Sequence, residues 1–404
     1  MNPASPRVSA ALLFLLVAGC SGGGDARGGE AAGSKVFDVV EKLRIDGYAH
    51  ELVPVDTTVR VEVRDDGMIV IAQQQTNELR FFSADGEPLG RLGRRGEGPA
   101  EFMQLWRLGW MADTLYAYDF SLRRFTLIDD DLEYVRYIHV PSHARPSPEL
   151  EGRLPEFSVV YGGALYADGS VYGEMAGPLT ELATADFDPT MRTYGRIAED
   201  GTILSYFQWR STTSEPIEVP FNGRMAFAVA DALPPLVRPV LGRNSTGTRI
   251  AHVQVAVEGP DAHTFEVMVE DIFAGELFRR RYPYEPRPIT QEMRDSILDD
   301  RLSDSPPDFA AAIRRGAVFP PLLPPVVTVI IGRDDALWIR LADTAEGRPY
   351  RILDPMGEPL GTLMLPTNER IAVADLSLEL IWVIQRDEFD VESVVRYGLV
   401  EGGD

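Results

Sequence analysis

Five histidines, His50, His139, His143, His252 and His263, are the side chains of this chain best suited to hold a transition metal or to move a proton near neutral pH. Their spacing serves neither task well. Only His139 and His143 lie close together, and Pro141 between them excludes the helix that would bring an i, i+4 pair onto one metal ion. His252 falls on the polar side of the alternating run Ala251-His252-Val253-Gln254-Val255 and reads as a solvated strand residue. Oxygen ligands for calcium are present in Asp129-Asp130-Asp131 and in the run of Asp387, Glu388, Asp390 and Glu392. Neither stretch has the spacing of a calcium loop, so both read as solvated turns. Lys35 and Lys42 are the only lysines, which excludes a Schiff-base lysine, a lysine general base and a phosphate-cradling P-loop lysine from everything beyond residue 42. The chain has no G-x-S-x-G elbow, no HExxH and no G-x-G-x-x-G. The expectation is no catalytic residue, no cofactor and no metal site.

Cys20 is the one cysteine, so no internal disulfide can form. It follows the apolar run Ala10 to Val17, with Arg7 as the only charge upstream and Ala18-Gly19 directly before it. The run is too short for a mature transmembrane helix and reads as a cleaved export signal. The small residues resemble the bacterial lipobox, in which the cysteine thiol receives a diacylglyceryl group and becomes the new N-terminus. Residues 1–19 are therefore expected to be a lipoprotein signal peptide, with Cys20 the lipidation site. Ser21, in place of a retention aspartate, points to the outer membrane of a bacterial cell envelope.

The side chains beyond this leader need elements to carry them, and the sequence supplies strands. Residues 21–34 are Gly, Ala and Ser with a few charges, and 20–44 as a whole reads as lipidated N-terminus and flexible tether. Short apolar or alternating runs follow, punctuated by Asp-Gly at 46–47, 66–67, 85–86, 168–169 and 200–201, a dipeptide suited to hairpin turns. Alternation is clear in Arg60-Val61-Glu62-Val63-Arg64 and in Phe265 to Glu270. One four-strand unit is visibly used twice: Arg64-Asp65-Asp66-Gly67 with Gly86-Glu87-Pro88-Leu89-Gly90, and Arg333-Asp334-Asp335-Ala336 with Gly357-Glu358-Pro359-Leu360-Gly361. Repetition of such units points to a β-propeller. Units are expected at about 59–94, 103–140, 155–207, 236–284, 325–366 and 370–400. The last shows three strands, and Tyr48 to Val55 is free to supply the fourth and close the ring.

Gly93-Arg94-Arg95-Gly96-Glu97-Gly98-Pro99-Ala100-Glu101-Phe102 resembles the connection between blades in NHL-like six-bladed propellers, particularly the bacterial lipoproteins described as 6-bladed β-propeller proteins. Leu115 to Asp119 followed by Arg123-Arg124-Phe125 is similar to the strand, aspartate and arginine pattern of an NHL blade, and the resemblance extends over roughly 45–400. It implies an all-β, six-bladed β-propeller of four-stranded antiparallel blades and says little of activity. The third unit departs from the pattern through an insertion at about Pro178 to Pro189, and the fourth is poorly patterned near Pro234-Pro235. Glycines 93, 96 and 98 read as turn formers, with Arg94, Arg95, Glu97 and Glu101 as structural ion-pairing residues.

One segment breaks the β texture. Ile289, Met293, Ile297, Leu298 and Leu302 share a helical face that Thr290 can cap, and a second helix runs from Ser305-Pro306 to Gly316. This helical insertion at about 289–316, before the fifth blade, braces a blade edge or, on a sharper reading, covers one mouth of the central channel.

Composition bounds the partners. Formal net charge is −23, with 45% hydrophobic and 25% charged residues, an ordinary globular chain that nucleic acid and anionic lipid would repel. The favoured function is an envelope-anchored lipoprotein acting as a non-catalytic binding or scaffolding propeller for a peptide, glycan or protein partner at a channel mouth. The alternative is a calcium-dependent hydrolase or lyase resembling the propeller lactonases, with Asn77, Asn222, Asn244 and Asn368 as the available amides. Carboxylates and amides converging on the axis would mark the enzyme; an apolar and mixed axis would mark the binder.

Overall fold

The computed structural model describes residues 35–52, 60–178, 191–210, 217–221, 224–228, 240–255, 263–303, 305–317 and 319–402. Among these, two helices interrupt a chain of short strands. The first strand, β1 (Lys35–Ile45), precedes an up-and-down sheet of β2 (Arg60–Val63), β3 (Ile69–Gln73), β4 (Glu78–Phe82) and β5 (Pro88–Leu92). A second such sheet holds β6 (Leu105–Met111), β7 (Thr114–Asp119), β8 (Arg124–Ile128) and β9 (Tyr134–His139). The third joins β10 (Arg145–Pro146) to β11 (Phe157–Leu165), β12 (Val171–Pro178), β13 (Met191–Ile197) and β14 (Thr202–Arg210), with β10 on the β14 edge. A separate hairpin, β15 (Ile217–Phe221) and β16 (Arg224–Ala228), precedes a sheet of β17 (Val240–Arg243), β18 (Arg249–Val255), β19 (Thr264–Asp271) and β20 (Gly275–Pro283).

After α1 (Gln291–Leu302) and α2 (Pro307–Gly316), β21 (Val326–Ile331), β22 (Leu337–Leu341), β23 (Arg348–Leu353) and β24 (Pro359–Leu365) share one eight-stranded sheet with β25 (Glu369–Asp375), β26 (Leu380–Arg386) and β27 (Glu392–Glu401). What joins the two halves is β1. It runs antiparallel to β27 from Phe37↔Glu401 to Ile45↔Val394, and its first three residues pair in parallel with Gly361 to Leu363 of β24. Two expectations are corrected here. The strand added to the last unit is Lys35–Ile45, inside the span expected to be tether, whereas the Tyr48–Val55 candidate is turn over 48–51 and its residues 53–55 lie outside the described ones. Phe37 and Ile45, both buried, dock this strand, and the polar residues between them hid it from a search for alternation.

Each sheet buries both faces. In β3, Ile69 and Ile71 pack with residues of β25 to β27, while Val70 and Ala72 pack with Leu105, Leu108 and Leu115 of the next sheet. Period-two side-chain alternation thus sends successive residues of one strand into the cores on its two sides, which is why β3 is apolar from Ile69 to Ala72. The leading strands touch in succession, β2 with β6 and β6 with β11, then β17 with β21, β21 with β25 and β25 with β2. The result is a nearly all-β, propeller-like arrangement with these strands innermost.

Turn chemistry sets the hairpins. Gly67, Gly86, Gly169 and Gly201, each the second residue of an Asp-Gly pair, have positive φ, as the dipeptide predicted, whereas Gly47, in the fifth pair, does not. The two copies of the motif make equivalent turns one residue out of the register in which their sequences align: Asp66 Oδ1 accepts from Met68 N–H at 3.1 Å with Gly67 at positive φ, and Asp334 Oδ1 accepts from Ala336 N–H at 3.3 Å with Asp335 at positive φ. Thr290 caps α1 by accepting from Met293 N–H at 3.2 Å, as expected. The helical face differs, because Met293 is exposed and the pair packs through Leu298, Leu302, Ala312 and Ile313, with α2 lying along β15. The insertion at Pro178 to Pro189 and the segment around Pro234-Pro235 fall, apart from Pro178 at the end of β12, outside the described residues.

Candidate functional site

On four of the innermost strands an arginine stands beside buried residues, while β11 and β21 carry none. In β2, Val61 and Val63 are buried, which leaves Arg60 and Glu62 on the opposite face. Arg107 precedes the buried Leu108 in β6, Arg243 follows the buried Gly242 in β17, and Arg370 lies between the buried Glu369 and Ile371 in β25. Three of them, Arg60, Arg107 and Arg243, act on one another, whereas Arg370 turns to Glu392 of β27. Arg243 is anchored there, donating to the carbonyl of Gly163 in β11 and, at 3.4 Å, to that of Leu108 in β6.

These charges act on one another. Burial first, then Arg243 and Arg60, lower the Arg107 guanidinium to about 9. Arg60 falls to about 10, again through burial first and then through Arg243 and Arg370. Its side chain is open to water in the channel, yet the surrounding protein deprives it of bulk solvation. Burial also lifts the Glu62 carboxyl to about 8, against the opposing pull of Arg243, Arg60 and Arg333. Arg370 is lowered by burial, with Glu392 3.7 Å away as its partial counterion. Among the described residues, Arg60, Arg107 and Glu62 have neither a hydrogen bond nor an ion pair within 4.0 Å. All five residues went unnoticed as a site in the sequence. A charged residue at an alternate strand position reads as solvent-facing, and only the knowledge that the strand is innermost turns that solvent into a channel.

The residues singled out from sequence have other places. His50 packs edge-on against Phe82, His143 sits beside Ser142 Oγ at 3.1 Å, and His139 lines an open cleft with Arg123, Arg136 and Glu199. His263 lies at the start of β19 with its ring 6.2 Å from Tyr284. The reading of His252 is corrected: it is buried, 3.1 Å from Glu270 Oε1 and against the ring of Phe207, because β14 covers the face that alternation assigned to water. Asp129 and Asp387 cap the β8–β9 and β26–β27 hairpins, each accepting backbone N–H bonds from two and four residues ahead. Asn77 accepts from Leu105 N–H, Asn244 donates to Asp335, and Asn368 donates to the Arg386 carbonyl, so these three amides do not converge. Asn222 and Cys20 lie outside the described residues. Among the described residues, no three His, Cys, Asp or Glu side chains come together as a metal set.

The segment that resembles a blade connection is a bracket built of the expected residues. Glu101 accepts from Gly98 N–H at 2.8 Å and from Arg94 at 2.7 Å, which holds its carboxyl below the usual range. Arg124 spreads its guanidinium over the carbonyls of Glu97, Gly98 and Glu101, at 2.9, 2.8 and 2.9 Å. The ion pairing expected of Arg95 and Glu97 is not found among the described residues: Arg95 forms a backbone bridge with Phe102, and Glu97 contributes only its carbonyl. A Cβ on Gly96 would meet the Glu101 carboxylate and displace it from the bracket.

The sheets define the chain's class as a β-propeller. No family model matches the sequence, and no curated protein matches it. Among solved structures it is similar to a member of the DUF4221 family from Bacteroides vulgatus, at 10% identity and TM-score 0.46 over 91% of this chain and 99% of that one. It is also similar to a virginiamycin B lyase from Staphylococcus aureus (12%, TM-score 0.40, 90% and 100%) and to the Pan2 WD40 domain of Neurospora crassa (9%, TM-score 0.41, 91% and 96%). Likeness at that level carries nothing about activity.

Proposed function

We propose that the chain is an envelope-anchored, six-bladed propeller lipoprotein, held by lipid at Cys20, whose central channel binds a ligand without transforming it. The count of six takes the eight-stranded sheet as two blades, β21 to β24 and β25 to β27 with β1, joined where three residue pairs run parallel. The observation that supports binding is the mutual proximity of Arg60, Arg107 and Arg243 on separate inner strands. Guanidinium groups recognise and hold; protonated at neutral pH, they are poor proton shuttles.

An enzyme has one observation on its side. The Glu62 carboxyl, at about 8, would exchange a proton near neutrality, as a general acid or base does. The two readings separate on the fate of the ligand. Protein starting at Ser21 is incubated with peptide, glycan and small-anion pools, washed, and its bound molecules released and weighed by mass spectrometry. A ligand recovered unchanged supports the binder. Turnover that stops in Glu62→Gln, or turnover and a melting temperature that both fall with chelator, establishes the enzyme, the latter in its calcium-dependent form.

A further inference from the structure

We infer that the channel is a receptor for a compact oxyanion carrying two or more negative charges, with a phosphoryl group as the type case. The inference rests on the channel-binding reading and names its ligand class. Its first support is an imbalance. In a chain of net charge −23, most described arginines have a carboxylate partner, as Arg64, Arg94, Arg196, Arg280 and Arg333 do. Arg60 and Arg107 have none among the described residues, although acidic side chains outnumber basic ones. Arg243 is held by backbone carbonyls, which orient its fork without cancelling its charge.

The second support is arrangement. Each guanidinium presents a planar fork that suits two oxygens at once. Arg60, Arg107 and Arg243 lie on β2, β6 and β17 and act on one another, with Arg243 fixed by the carbonyls of Gly163 and Leu108, so three forks from three strands share one neighbourhood, while Arg370 turns to Glu392 of β27. A single carboxylate is flat and can face two forks; a tetrahedral oxyanion offers oxygens in every direction and can face more. Burial first and the neighbouring guanidinium groups second lower the proton affinity of Arg60 and Arg107, and an anion held between them would offset both costs. The negative exterior would repel anions in general, while the positive channel retains those that reach it within a screening length, about 8 Å at physiological salt.

The test is thermal unfolding and calorimetric titration of the protein starting at Ser21, with inorganic phosphate, sulfate, tricarballylate, acetate and chloride at matched ionic strength. Saturable stabilisation by phosphate and sulfate, absent with chloride, is expected. Arg60→Gln and Arg107→Gln should each weaken phosphate binding at least tenfold, while Arg91→Gln, at an exposed residue of β5, leaves it unchanged. The ligand-free Arg107→Gln protein should unfold at the same or a higher temperature than wild type, because a repelled charge has gone. An arginine with a purely structural role would lower it. Stabilisation no greater than that of chloride overturns the inference, as does phosphate binding that survives both variants. Tricarballylate binding in place of phosphate would move the ligand class to polycarboxylates and overturn the phosphoryl assignment. A neutral glycan or peptide held in the channel and indifferent to both arginines would overturn the anion while leaving the binding reading intact.

Discussion

Phe37 stands opposite Leu363 of β24 on one side and Glu401 of β27 on the other, so a strand from the N-terminal end seals the last element of the chain. Up-and-down sheets arranged in a ring leave one seam, and its exposed edge would otherwise be β27. Deleting residues 1–34 should leave the melting temperature nearly unchanged. Deleting 1–46 removes the buried Phe37 and Ile45, each worth about 1.5–3 kcal/mol, along with the β1 hydrogen-bond ladder. Calorimetry on the two truncations should show a cooperative transition for the first and a broadened or absent one for the second.

Arg124 and the carbonyls it spans make a second expectation. Removing a side chain that satisfies three carbonyls leaves part-buried acceptors that water can reach only in part, so Arg124→Ala should cost about 1–3 kcal/mol. Arg124→Lys should rescue little, since an ammonium cannot reproduce the planar fork. Denaturant unfolding of both variants, with the slope of the transition unchanged, checks this.

How much of this was legible before the structure depends on the kind of signal. Asp66-Gly67 and Asp334-Asp335 announced their hairpins because turn residues act locally, through backbone sterics and a side-chain bond two residues away. Glu101 and Arg124 could be placed in a connector by their resemblance to a known pattern. Lys35–Ile45 was missed because an outer strand buries few of its side chains and shows little alternation. His252 was misread because period two tells which side of a sheet a residue faces but not whether another strand lies there. Arg60, Glu62, Arg107, Arg243 and Arg370 escaped for a related reason: their proximity is a property of the ring, and nothing local records it.

Glu62 gives a pH dependence whose sign follows from its raised carboxyl. A carboxyl at about 8 in the folded state and near 4.5 when unfolded favours folding fully below pH 4.5, and that contribution disappears as pH rises through 8. Arg60 and Arg107, at about 10 and about 9, remain largely protonated across this window. Stability should therefore fall between pH 5 and 8, by at most ~1.4 kcal/mol per pH unit from this residue. Glu62→Gln should flatten that part of the profile and tighten phosphate binding at pH 8, since a competing negative charge has been removed from beside Arg60, Arg243 and Arg333. Chemical denaturation at half-unit pH steps tests both; an unaltered slope in the variant would show that another group titrates.

Cys20→Ala should move the protein from the membrane fraction to the soluble one. The physical cause is the loss of acyl chains, in which each buried CH2 contributes roughly 0.8 kcal/mol, so that several chains together hold the protein where one would release it. The channel should not notice. Cys20 precedes the first described strand by a Gly, Ala and Ser segment, so phosphate affinity and melting temperature of the variant should match those of the protein starting at Ser21. Fractionation of the wild type should place it with outer-membrane markers, because Ser21 rather than aspartate follows the cysteine. Membrane association that persists in Cys20→Ala would assign the anchor to the propeller itself and remove lipid from the account.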